Sequence, residues 1–130
     1  MAGGAHKRIL IIEDEATLAR LTQWQLEAAG FEVSYQTTGQ GGLATAAARR
    51  PDLVILDLRL PDRHGFEVCR ELRALFHPWN VPVLITTGSD APVDQLRGYA
   101  FGAEAYLTKP VDPPELLATV QLLLGQTTPA

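Results

Sequence analysis

The sequence predicts a doubly wound α/β domain, a five-stranded parallel sheet of order 2-1-3-4-5 flanked by five helices. Three observations predict it. Short β-branched or aliphatic runs alternate with longer stretches of helical period, five times over. Three of those runs are continuously apolar rather than alternating, as parallel strands covered on both faces must be. Gly30, Gly102 and Gly125 close helical stretches, where a left-handed residue ends a helix most easily.

The first strand reads Arg8–Glu13, one of the continuous runs. Leu18, Leu21, Trp24 and Ala28 then recur at helical spacings and give the first helix an apolar face before Gly30. The second strand is Glu32–Gln36. The helix after it holds Gly39, Gly41 and Gly42, each costing up to about 1 kcal/mol relative to alanine, so an irregular start is expected. Leu53–Asp57 and Val83–Thr87 are the other continuous runs, the third and fourth strands. Between them the third helix carries Cys69, and the loop Phe76 to Asn80 places Trp79 to shield the lower end of the sheet.

Ser89 or Asp90 can cap the fourth helix ahead of Pro92, with Val93, Leu96 and Ala100 facing inward. Ala105–Thr108 is the fifth strand. The last helix has the clearest signals: Asp112 as N-cap, prolines in the first turn, Glu115 as a capping-box acid, then Leu116, Leu117, Val120, Leu123 and Leu124.

A chain of 130 residues fits one domain with a radius of gyration of roughly 14 Å, expected over residues 7–125 between flexible ends at 1–6 and 126–130. With 46% hydrophobic and 20% charged residues it can bury about two-thirds of its unfolded surface without staples. The net charge of −4 and the lack of a Lys/Arg run argue against direct binding of nucleic acid or an anionic membrane. One cysteine allows no intrachain disulfide, which fits a reducing cytoplasm. The apolar residues Ile9 to Ile12 are too few for a signal segment or a membrane span. No linker or output domain is indicated.

In such a fold the ligand site lies at the carboxyl ends of the strands. There the sequence places Glu13 and Asp14 after strand one, Asp57 after strand three, Thr87 after strand four and Lys109 after strand five. With strands one and three adjacent, three carboxylates share one crevice and repel one another. Lys109 supplies one positive charge, and a hard divalent ion, Mg²⁺ or Mn²⁺, suits the remainder. Asp14 and Asp57 are expected as direct ligands, with Glu13 acting through water.

The segments Ile9 to Glu15, Pro51 to Pro61, Pro82 to Gly88 and Gly102 to Pro110 together resemble the CheY-like receiver domains of two-component response regulators, which share the flavodoxin-like fold. The resemblance covers roughly positions 7 to 125. It implies that Asp57 takes a phosphoryl group from a phosphohistidine on a sensor histidine kinase or phosphotransfer protein and later loses it by hydrolysis. Such a self-modifying phosphoacceptor is not a turnover enzyme on an external substrate.

The resemblance further implies that the carbonyl of Arg59 completes the metal site and that the Lys109–Pro110 bond is cis. Thr87 and Lys109 contact the phosphoryl oxygens, and Gly88 leaves space for them. Thr87 moves on activation while Tyr106 turns inward. The output face then lies on the fourth helix, fifth strand and fifth helix, with Gln95 and Tyr99, toward a downstream protein, an output domain or a second copy in a homodimer.

Plainer readings stand beside these. Asp57 alone could cap a turn, Glu13 and Asp14 could favour a helix start, and Lys109 could be an ordinary loop charge. Tyr99 and Tyr106 could be packing residues. His6, His64 and His77 lack metal-ligand spacing and read as solvated, although His64 lies in a loop less acidic than is common in the family. Cys69 reads as a small buried residue.

Of the competing functions, a flavodoxin-like cofactor module would need a phosphate-cradling loop where Glu13-Asp-Glu15 stands. An aspartate-nucleophile phosphatase would need an acid two residues beyond its nucleophile, where Arg59 stands, and a cap. A degenerate receiver acting only through protein contacts would lack a member of the five-residue set.

Overall fold

The computed structural model describes residues 6–88 and 91–125. The expected flexible ends, apart from His6, and the capping roles of Ser89 and Asp90 therefore lie outside the described residues. The elements in order are β1 (Arg8–Ile12), α1 (Ala16–Ala28), β2 (Glu32–Gln36), α2 (Gly39–Ala48) and β3 (Leu53–Asp57). There follow α3 (Gly65–Phe76), β4 (Val83–Thr87), α4 (Pro92–Ala100), β5 (Ala105–Thr108) and α5 (Pro113–Leu123). All strand pairs are parallel and the order is β2-β1-β3-β4-β5, as expected.

Alternation along the central strands splits the core into two layers. Leu10, Ile12, Val54, Leu56, Val83 and Ile85 pack with Ala46 of α2 and with Phe66, Val68, Cys69 and Leu72 of α3. Ile9, Ile11, Leu53, Ile55 and Leu84 pack on the other side with Ala19 and Leu26 of α1 and Leu116 and Val120 of α5. Both faces of β1, β3 and β4 are thus covered, which is why those runs carry no polar alternation.

Several expectations are corrected. The apolar spacing in α1 does not mark its buried face: Ala19 and Leu26 are buried, while Leu21 and Trp24 are 49% and 58% exposed. Ala19 and Leu26 meet the sheet, while Leu18 and Leu21 line a cavity beside α5. In α4, Val93 and Leu96 are exposed and Ala100 is too, whereas Gly98 is buried. A Cβ there would come within 3.1 Å of Ile85 Cδ1 and 3.3 Å of Tyr106 Cδ2, so the helix leans on the sheet through a residue with no side chain.

The start of α2 is regular, because Thr38 caps it and Gly39 and Gly42 are packed against side chains rather than exposed to water. Asp112 occupies the N-cap of α5 but makes no side-chain capping bond. Pro114, at the second helical position, has no N–H to offer it. Trp79 stays 60% exposed, with the Arg50 guanidinium 4.6 Å from its ring centre, and buried Phe76 and Val81 fill the core near that loop instead.

Candidate functional site

Register sets the site. Ile12 of β1 lies level with Leu56 of β3, so Glu13 and Asp57 follow side by side at the carboxyl end of the sheet. Asp57 lies level with Thr86 of β4, and Thr87 with Thr108 of β5, one residue before Lys109. The chain order therefore delivers the five strand-end residues to one rim.

Glu13 and Asp57 are both 4% exposed, and Asp14 is exposed beside them. One carboxylate oxygen from each of the three lies within 4.8 Å of the others, a grouping able to hold a metal ion. Lys109 Nζ donates a hydrogen bond to Glu13 and stands 3.4 Å from Asp57 Oδ2. The Lys109–Pro110 bond is cis, as expected, and the Lys109 N–H donates to the Thr87 carbonyl at 2.7 Å.

Electrostatics follow from crowding. Burial pushes the Glu13 carboxyl up to about 7, against the lowering pull of its hydrogen bond with Lys109, and the charge of Asp57 adds to the rise. Burial alone would lower the Lys109 ammonium, but Glu13 and Asp57 outweigh it and hold the group above its ordinary value. Three carboxylates against one ammonium leave an excess of negative charge at the rim. Exposed Asp14 gives an incoming ion access to water, so the donor set fits a hard divalent cation that keeps part of its hydration shell.

Thr87 is 1% exposed, and its Oγ1 has no hydrogen-bond partner. A buried hydroxyl is costly to leave unpaired, and such a group is suited to a ligand oxygen that arrives later. Thr86 differs, lining a cavity of about 580 Å³ with Glu13, Lys109, Leu18 and Leu116 between α1 and α5. Arg59 follows Asp57 closely, and its N–H donates to Asp57 Oδ1 at 3.3 Å.

Tyr106 is half-buried against the core, beside Gly98 of α4. Next to it Phe66 stacks on Phe101 at 5.4 Å and carries the Arg97 guanidinium 5.1 Å from its ring centre. Tyr99 is 49% exposed on α4, while Gln95, one turn away, is half-buried. His64 caps α3 by accepting from the Phe66 N–H at 3.1 Å, and His77 ends that helix. Among the described residues neither joins a metal-binding group. Cys69 is buried, its thiol pushed up to about 11 by burial, and Sγ donates to the Phe101 carbonyl.

Contacts of Gly65 and Asp62, in the loop already noted as less acidic, and of Arg73, at the opposite, amino end of the sheet, were not read from the sequence. Gly65 packs directly behind Asp57: a Cβ there would fall 2.7 Å from the Asp57 carbonyl oxygen. Asp62 accepts from the first two amides of α2. Arg73 donates to the carbonyls of Gly102 and Val81 and pairs with Glu104, whose carboxylate also accepts from the Val83 N–H. A glycine directly after a strand-end loop was the available signal for Gly65; the other two pairings cross the sequence too far to be read from spacing.

The carboxyl rim of this doubly wound parallel sheet thus gathers three acids, a lysine and a buried threonine. The family model for the response regulator receiver domain matches residues 9–121, and the chain belongs to that family. It is 42% identical over 120 residues to the DNA-binding dual master transcriptional regulator RpaA of Synechocystis, covering 92% of this chain and 50% of that protein. It is 37% identical over 122 residues to the alkaline phosphatase synthesis transcriptional regulatory protein PhoP of Bacillus subtilis, covering 94% and 50%. The chain spans about half the length of these curated relatives.

Among solved structures, a CheY-like receiver domain protein from Methanospirillum hungatei superposes with a TM-score of 0.88 at 31% identity, covering 93% of this chain and 95% of that one. The N-terminal receiver domain of Klebsiella pneumoniae RstA gives 0.85 at 30% identity, covering 92% and 100%.

Proposed function

We propose that Asp57 is the phosphoacceptor of this receiver domain, with Glu13 and Asp14 completing an acidic Mg²⁺ site and Lys109 and Thr87 receiving the phosphoryl oxygens. The observation that carries the reading is the Lys109 ammonium lying between the buried carboxylates of Glu13 and Asp57, with Asp14 alongside. Asp57 and Asp14 supply ligand oxygens, the Arg59 carbonyl on the adjoining turn supplies another, and Glu13 holds Lys109 and acts through water. Mn²⁺ has the same oxygen preference and should substitute. When bound, the ion supplies charge that keeps the acids ionised and offsets charge on the transferred group.

In the transfer, an oxygen of ionised Asp57 attacks phosphorus of a phosphohistidine on a sensor kinase or phosphotransfer protein. The P–N bond breaks, imidazole leaves with its electron pair, and an acyl phosphate forms. Phosphoryl transfer needs chiefly positioning and charge stabilisation, which Lys109 provides on one side and the Thr87 hydroxyl on the other. Capture of that hydroxyl draws on β4, which packs under Tyr106 and α4, so the charge change reaches the α4–β5–α5 face. Water then hydrolyses the acyl phosphate.

The names of these curated relatives, both transcriptional regulators, support an output function in transcription for a longer protein of this kind, for which we propose a cytoplasmic location. No helix among the described residues is long and apolar enough to cross a membrane. Incubation with a small phosphodonor and Mg²⁺ should add one phosphate, detected by intact mass. It should be absent in Asp57→Asn and after chelation; an unmodified wild-type mass would overturn the assignment.

A further inference from the structure

We infer that Asp62 is a positioning residue for phosphoryl transfer, tying the loop that follows Asp57 to the start of α2. The inference rests on the reading of Asp57 as phosphoacceptor. Asp62 lies between β3 and α3, and its two carboxylate oxygens accept from successive backbone amides, Gly39 N–H at 2.8 Å and Gln40 N–H at 2.8 Å. These are the first two amides of α2, which a helix leaves without internal acceptors, and its dipole favours an anion there. The same bonds hold the Asp62 carboxyl below the usual carboxylate range.

The helix does not need Asp62 as its cap. Thr38 occupies that position, and its Oγ1 accepts from the Gly41 N–H at 2.9 Å. What Asp62 adds is a tie between elements that are far apart in sequence. Arg63 runs beside it, donating to Glu71 of α3 at 2.6 Å and to Gln40 of α2 at 3.0 Å. Gly39 is the seat for that side chain, since a Cβ would fall 2.7 Å from Arg63 Cγ.

The two ends of the loop are also fixed. The Gly65 N–H donates to the Leu58 carbonyl at 2.9 Å, Arg59 and His64 form a β-bridge, and His64 caps α3. Without Asp62 the loop keeps these feet and the Arg63 bond to the Gln40 side chain, and loses both of its ties to the α2 backbone. Arg59 is one of those feet, its N–H donating to Asp57 Oδ1 at 3.3 Å, so strain from a loosened apex passes through the Arg59–His64 bridge to the reacting carboxylate. A misplacement of about 1 Å near a reacting group can slow a reaction by as much as about 10²-fold.

The test compares Asp62→Ala and Asp62→Asn with Thr38→Ala, which weakens the start of α2 without releasing the loop. Phosphorylation rate with a small phosphodonor, Mg²⁺ affinity by calorimetry, and amide exchange at Gly39 and Gln40 are measured beside thermal stability. Asp62→Ala should slow phosphorylation by roughly tenfold and weaken Mg²⁺ binding. Asp62→Asn, with one carbonyl oxygen for two donors, should fall between it and wild type. Thr38→Ala should lose stability at the wild-type rate. Equal rates in Asp62→Ala and wild type, or equal slowing in Thr38→Ala, would reduce Asp62 to a structural brace and overturn the inference. A wild type that takes no phosphate would instead remove the phosphoacceptor reading beneath it.

Discussion

Replacing Gly65 with alanine should damage stability and phosphorylation together. The added Cβ would lie 2.5 Å from Leu58 Cα, 2.7 Å from the Asp57 carbonyl oxygen and 3.0 Å from Leu58 Cδ2. Carbon atoms rest at about 3.5–4.0 Å, so the overlap is about 1 Å, and two of the three opposing atoms are backbone. That backbone cannot step aside, because Asp57 is paired with Thr86 in β4 and Leu58 is buried. The N-terminus of α3 must retreat instead, stretching the bond from the Gly65 N–H to the Leu58 carbonyl, 2.9 Å long.

Overpacking of this kind costs about 1–3 kcal/mol, and rigid opposing atoms place it at the upper end. About 3 kcal/mol lowers the melting temperature of a domain this size by about 10 °C. Urea denaturation and the phosphorylation rate in Mg²⁺ are the assays. Gly88→Ala serves as the stability control, since a Cβ at Gly88 would meet nothing within 4 Å. A loss below about 0.5 kcal/mol in Gly65→Ala with an unchanged rate would refute the wedge argument.

Without divalent ions, stability should fall as pH rises from 4.5 to about 7, because the Glu13 carboxyl binds its proton more tightly folded than unfolded. The span is worth about 3 kcal/mol at 1.36 kcal/mol per unit, and Mg²⁺ or Glu13→Gln should flatten the decline; a rising curve in the wild type would contradict this. Lys109→Ala should slow phosphorylation and leave buried Glu13 without its ammonium, so its stability deficit should be larger at pH 8 than at pH 5. A deficit independent of pH, read by denaturant titration, would argue against the pairing. Arg73→Leu should cost about 2–4 kcal/mol, since it strands the Gly102 and Val81 carbonyls and leaves Glu104 unpaired; thermal denaturation within 0.5 kcal/mol of wild type would count against the network.

Strand positions were legible because a covered parallel strand needs an unbroken apolar run, and four of the five match the sequence reading while β1 stops one residue short, at Ile12. Strand-end polarity likewise marked Glu13, Asp14, Asp57, Thr87 and Lys109, because each is a polar residue following an apolar run and the strand order brings them to one rim. Helix faces were less legible. In α1 and α4 the closest approach to the sheet is made at Ala19 and Gly98, residues whose smallness gives no hydrophobic signal. The ties made by Asp62 and Arg73 depend on which loops the topology brings together, and the bond from Arg73 to Gly102 joins residues 29 apart.

The glycine contact beneath α4 bears on how such domains diversify. A helix that touches its sheet through a bare backbone carries Val93, Leu96 and Tyr99 as an outward row that no interior neighbour constrains. On the output face proposed for α4, substitutions along that row would change partner contacts while leaving the acidic rim in place. Chemistry and vocabulary are thereby separated within one small fold.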